Sequence, residues 1–339
     1  MKRITWIDTA KAFGIFLVIL GHQAIDPNIL TWIYSFRMPL FFFISGYLFE
    51  PSKYPIFSPF CVKKIRTLIV LYFFFAALSY LFWLLAVRKL ATHGFSLNTD
   101  PLKPFIGIFY GIGSGGWGAP LNTVLWFLPC LFVTEILIWK LNCSFQKQYL
   151  PFVLIGLASL SVLVTISKLP RLPWSVDVAL AGSVFYGLGF LYKDFIVKWM
   201  AKRYFIISLG AFFILNLWVG SLNGRVVDMN SNNYGNIVLF YISGIAGILF
   251  LIGISNLVAR NKLFDFIGQN TLVIMCLGGV SFLLLKSIIY LFKGSLPVTS
   301  GLPVLMGITY SGLQILLLIP AIYLVNKFLP FIIGRQQKS

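Results

Sequence analysis

The sequence predicts an all-α fold, a single polytopic membrane bundle of about ten transmembrane helices over residues 1–339. Hydrophobic residues make up 59% of the chain and the mean hydropathy is +0.90. Apolar runs of bilayer length recur from end to end, and short connections marked by Pro, Gly or charge separate them. The formal charge of +18 would suit a nucleic-acid partner if the basic residues lined one polar face. They lie instead in the gaps between apolar runs, so they report membrane topology, and lipid rather than nucleic acid is the expected surrounding partner.

The spans fall at residues 8–25, 31–49, 67–87, 120–141, 150–167, 175–192, 203–219, 236–255, 269–291 and 303–326. With the N-terminus in the cytoplasm, basic residues inside outnumber those outside by about two to one, so both termini are expected in the cytoplasm of a bacterial plasma membrane. A cleaved signal peptide is not expected, because Lys11 interrupts the first apolar run and no small-x-small pattern follows it. Cys61, Cys130, Cys143 and Cys276 have no paired spacing, so neither a disulfide framework nor a metal site is expected.

The first span, Trp6 to Gln23, carries Asp8, Lys11 and His22, and ionisable groups at membrane depth are functional candidates by default. Lys11 and His22 are eleven residues apart, close to three helical turns, and Asp8 falls within roughly 60° of both, so one stripe holds all three. At 1.5 Å per residue Asp8 and His22 are roughly 21 Å apart and serve opposite depths. Arg37, just before Pro39 at the start of the second span, is expected at the depth of His22. A neutral imidazole accepts a proton, and a guanidinium binds a carbonyl oxygen or an anion through two donors. The alternative is an interfacial arginine beside a packed histidine. Ser45 and Gly46 read as close helix packing.

Lys63, Lys64 and Arg66 cluster just before the third span, as a topology anchor or as an attraction for an anionic cofactor. The Gly-rich stretch from Arg88 to Leu121 reads as a long outer loop containing His93, which is expected in solvent. Trp126 opens the fourth span at a belt position, and Glu135 within that span needs a partner, either a ligand or an ion pair that fixes helix packing. Asp177 begins a short span rich in small residues and is a third buried acid. The loop NGRVVDMNSNNYGN, with Arg225 and Asp228, suits a hydroxyl-rich ligand or is simply solvated. Asn270, at the start of the ninth span, caps a helix or binds a ligand. The chain ends in a short basic tail, so no appended soluble domain is expected.

Taken together, IDTAKAFGIFLVILGHQ, FRMPLFFFISGYLF, LWFLPCLF, LPWSVDVALAGSVFYGLG, NGRVVDMNSNNYGN and FIGQNTLVIM resemble the membrane acyltransferase 3 family over nearly the whole chain, especially its fucose 4-O-acetylase-like branch. The resemblance implies transfer of an acyl group, usually acetyl from acetyl-CoA, to a carbohydrate hydroxyl. On that reading His22 is the general base or a transient acyl carrier, with Arg37 and Asp8 as the other catalytic candidates. Lys11, Lys64, Arg66 and Asn270 would receive the CoA donor. Trp126, Glu135, Asp177, Arg225 and Asp228 would hold the glycan acceptor. Two positions depart from the family pattern. Where relatives often carry an arginine about ten residues before the first histidine, this chain has Lys11 and Ala12, which keeps a charge but loses the bidentate fork. Where they often carry a late-span histidine this chain has Gly278, which excludes a mechanism needing two membrane histidines.

The rival reading is a transporter or flippase of a glycan precursor, in which the same charged stripe lines a path. Inverted repeats would favour it, and the sequence has no convincing internal repeat. The oligomeric state is left open by the sequence.

Overall fold

The computed structural model describes residues 4–85, 87–89, 100–114, 122–258, 261–294 and 301–334. His93 lies outside them, as do the basic residues Lys2, Arg3, Arg260, Arg335 and Lys338. The described residues form α-helices and no strands. In chain order these are α1 Thr5–Leu20, α2 Pro27–Tyr47, α3 Phe57–Lys64, α4 Val70–Leu85, α5 Leu102–Tyr110, α6 Phe127–Ser144, α7 Leu150–Ile166, α8 Val176–Leu191, α9 Lys193–Met200, α10 Phe205–Leu222, α11 Ile237–Leu257, α12 Lys262–Gln269, α13 Thr271–Lys293 and α14 Val304–Phe328. Among the described residues, 9 helical segments are long and apolar enough to cross a membrane, and they coincide with the second to tenth spans read from the sequence. The first is shorter than expected: α1 has 16 residues and stops at Leu20.

The ends of α1 and α2 set the geometry of everything that follows. Asp26 caps α2 by accepting the Asn28 N–H at 2.7 Å, and Pro27 fits a first turn that needs no donor from it. The helix therefore starts four residues before the expected position 31. Arg37 consequently lies midway along α2, about 15 Å from either end, instead of at the start of the span. α1 runs antiparallel beside it, with Trp6 edge-on to Tyr47 at 5.1 Å and the Tyr34 hydroxyl donating to the Gly21 carbonyl at 2.9 Å. α11, α12, α13 and α14 also pack on α1, which makes it the central helix of its half of the bundle.

Membrane helices approach closely where side chains are small or polar. A Cβ on Gly46 would collide with the Tyr186 carbonyl of α8, so the Ser45-Gly46 step is a packing contact. The Asn216 amide of α10 donates to Ser35 Oγ of α2 at 3.1 Å and to the Ser243 carbonyl of α11 at 2.7 Å.

Two segments differ from the sequence expectation. The third span is one 29-residue run, Phe57–Leu85, because a π-helical turn at Ile65–Ile69 joins α3 to α4. Lys63, Lys64 and Arg66 are thus inside the helix and not in a preceding loop. The stretch from Arg88 to Leu121 contains α5, held to α4 by the Tyr72 hydroxyl on the Ile108 carbonyl at 2.7 Å, so it is not a loop throughout. Its Phe105 and Phe109 have the apolar spacing of a helix face, a signal that the Gly-rich flank obscured.

Candidate functional site

The chain leaves α1 at Gly21 and makes one further turn, with the His22 N–H on the Ile19 carbonyl at 3.0 Å. Asp8 and Lys11 therefore share a helical stripe, and His22 does not belong to it. His22 hangs from the turn beyond the helix, and its side chain is accessible although it lies deep among α1, α2, α13 and α14. It borders three cavities, of about 150, 390 and 300 Å³. Gly21 is required here because a Cβ would strike Arg37 Nη1.

Arg37 is buried beside it. Its Nη1 donates to the Val18 carbonyl at 3.0 Å, and its guanidinium lies 3.4 Å from the centre of the Tyr34 ring. Among the described residues no carboxylate is within ion-pair distance of Arg37. Its Nε has no partner, so the guanidinium retains a donor for an incoming oxygen.

His22, Tyr34, Arg37, Trp126, Asp228 and Asn230 border the 390 Å³ cavity, which is the polar one. The loop between α10 and α11 forms its wall. Asp228 accepts from the Asn230 N–H at 3.1 Å and from the Ser231 hydroxyl at 2.5 Å, closing a 3-10 turn at Met229–Ser231. Arg171, in the α7–α8 connection, ties this wall to the bundle. Its Nε donates to Asp177 at 2.5 Å, and its Nη1 donates to Ser114 at 2.9 Å and to the Asn230 carbonyl. Trp174 and Ser175 precede α8 with φ of 57° and 52°. Such left-handed backbone costs about 1–3 kcal/mol per residue and persists where surroundings over-determine it. Here the turn delivers Asp177 to Arg171.

The other two cavities differ in character. The 150 Å³ cavity runs from His22 between α1 and α13 and is mainly apolar. The 300 Å³ cavity is bordered by His22, Gln23, Lys286, Tyr310 and Gln314, with the Lys286 ammonium 4.3 Å above the Phe282 ring.

The structure thus brings together His22, Arg37, Trp126 and Asp228 of the sequence candidates, with Asp177 one step behind through Arg171. The others stand elsewhere. Asp8 and Lys11 are near the far end of α1, where α12 crosses it and Gly268 packs on the Asp8 carbonyl. The Asp8 charge acts on Lys11 at this end of the helix. Asn270 donates to the Phe266 carbonyl at 2.7 Å and accepts from the Asn326 amide at 2.9 Å, tying the α12–α13 junction to α14. Lys64 and Glu135 pair with each other at 2.7 Å, away from the three cavities. Arg66 and Arg225 are exposed and border none of the three.

Tyr34, Asn122, Asn230, Lys286 and Gln314 were not singled out from the sequence. Lys286 and Gln314 were findable, as polar groups inside apolar spans. Tyr34 was findable as the aromatic one turn before Arg37. Asn122 and Asn230 carry no local signal, because only the fold brings their loops to His22.

The sequence from residue 4 to residue 333 matches a family described as an acyltransferase domain. The chain belongs to the acyltransferase 3 family. No curated protein and no solved structure gives a match. As a member of this family the protein is a membrane acyltransferase, and its described apolar helices are long enough to span a bilayer. Membership also weighs against the transporter reading.

Proposed function

We propose that this acyltransferase moves an acetyl group from cytoplasmic acetyl-CoA to a sugar hydroxyl of an exported or lipid-linked glycan, as in the fucose 4-O-acetylase-like branch. The observation that carries the reading is His22 standing where a polar cavity and an apolar one meet. The sugar occupies the polar cavity, with Trp126 against a ring face and Asp228 and Asn230 toward its hydroxyls. His22 takes the proton of the attacking hydroxyl as the new C–O bond forms at the thioester carbon. Arg37 receives the negative charge that develops on the carbonyl oxygen. The C–S bond then breaks, and His22 returns the proton to the CoA thiolate. Lys11, at the opposite end of α1, supplies positive charge on the donor side, and the exposed Arg66 adds to it.

The test is mass spectrometry of surface glycans from a deletion strain and from strains complemented with wild type or His22→Ala. Acetyl mass should vanish in the deletion, return with wild type and stay absent with the variant. An unchanged glycan in the deletion strain would sink the proposal.

A further inference from the structure

We propose that the cavity between α1 and α13 is the acyl subsite, and that Gly278 sets its length to admit acyl chains longer than acetyl. The inference rests on the acyl transfer proposed above.

One wall of the cavity is Ile15, Val18 and Ile19 of α1, and the facing wall is Ile274 and Phe282 of α13 with Gly278 between them. These apolar walls suit a hydrocarbon chain. A Cβ placed on Gly278 meets no atom within 4 Å, so the space beside this glycine is open.

Two polar side chains that border this cavity each hold a buried atom without a partner. Gln314 Nε2 and Asn122 Oδ1 are both unpaired, in side chains 2% and 1% exposed. Buried groups of this kind are normally satisfied. The Gln314 N–H matches the carbonyl oxygen of a thioester whose carbon faces His22. Asn122 is held in place by donating its amide N–H to the Cys276 carbonyl.

The size argues beyond acetyl. The cavity measures about 150 Å³, and an apolar cavity of about that volume accommodates benzene, with six carbons. An acetyl group fills it with one methyl. Each further methylene buried should improve binding about fourfold until the space is full. Transfer follows the same course as for acetyl: the acyl C–S bond breaks, the ester C–O bond forms, and the hydroxyl proton passes through His22 to the thiolate.

The experiment measures kcat/KM for acetyl-, propionyl-, butyryl- and octanoyl-CoA with the full-length protein in host membrane vesicles, whose own glycans serve as acceptor. Wild type should use butyryl at least as well as acetyl and should fail with octanoyl. Gly278→Val should lower the butyryl-to-acetyl ratio at least tenfold, and Gly278→Ala, a smaller intrusion that guards against misfolding, should lower it by less. Wild type discriminating tenfold or more against butyryl, or a ratio that neither variant moves, would overturn this inference while leaving acetyl transfer standing. No transfer from acetyl-CoA at all would overturn the functional proposal and this one with it.

Discussion

Replacing Arg37 by methionine should remove most of the activity while leaving stability close to that of wild type. The guanidinium is 5% exposed and lacks a carboxylate partner among the described residues. Its bond to the Val18 carbonyl at 3.0 Å is charge-assisted, worth about 1.5–3 kcal/mol, and the desolvated stacking on Tyr34 at 3.4 Å adds about 2 kcal/mol. Against these stands the desolvation of a buried ion, itself several kcal/mol. The terms nearly cancel, and methionine fills similar space without a charge, so the melting free energy should change by less than about 2 kcal/mol. Activity follows different physics. A donor aimed at a developing oxyanion is worth about 10²–10³ in kcat. Thermal unfolding in detergent and acetyl transfer in vesicles, measured on the same preparation, separate the two. A stable protein with transfer reduced at least a hundredfold is the expected result. Normal transfer per folded molecule, or a loss of activity that only tracks unfolding, would refute the reasoning. Arg37→Lys should recover little, since a point charge cannot both stack on Tyr34 and reach the Val18 carbonyl. Gly21→Ala should reproduce a milder form of the defect by displacing the guanidinium.

His22→Ala should lower kcat about 10²–10⁴-fold with normal accumulation in the membrane, because the imidazole is accessible and its removal opens no cavity in the core; near-normal turnover would remove it from the mechanism. Lys64→Met and Glu135→Leu should each lower stability by about 3–5 kcal/mol, and the double variant should recover most of that, because neither charge is then left unpaired in a protein interior. If Lys64→Met instead raises the acetyl-CoA KM without changing the melt, Lys64 belongs to the donor site. Asp177→Asn should loosen Arg171 and with it the Asn230 wall, raising the acceptor KM about tenfold at an unchanged donor KM; equal rises in both would point to general unfolding. Lys11→Ala should raise the acetyl-CoA KM more than the acceptor KM, and Lys11→Arg should retain most activity. A rise confined to the acceptor KM would place Lys11 in some other role.

The sequence by itself determined the architecture, because a bilayer leaves few options. Backbone groups must be satisfied within each segment, so apolar runs of bilayer length become helices, and among the described residues nine of the spans read from the sequence are such helices. It also marked His22, Arg37, Glu135 and Asp177, because hydrocarbon makes a polar side chain conspicuous. What it could not supply was the partner of each. Glu135 needs either a ligand or an ion-pair partner, and only the fold sets Lys64 beside it, 71 residues earlier in the chain. Asp177 reaches the site only through Arg171, which in turn holds a carbonyl from the distant 226–231 loop. Small shifts in helix ends also mattered: the Asp26 cap moved Arg37 to mid-helix, and the stop at Leu20 put His22 on a turn. Hydropathy and periodicity are local and survive in one dimension, whereas pairings between helices depend on how the bundle closes. Only the closed bundle decides which polar groups neutralise one another and which, like His22, are left facing open space.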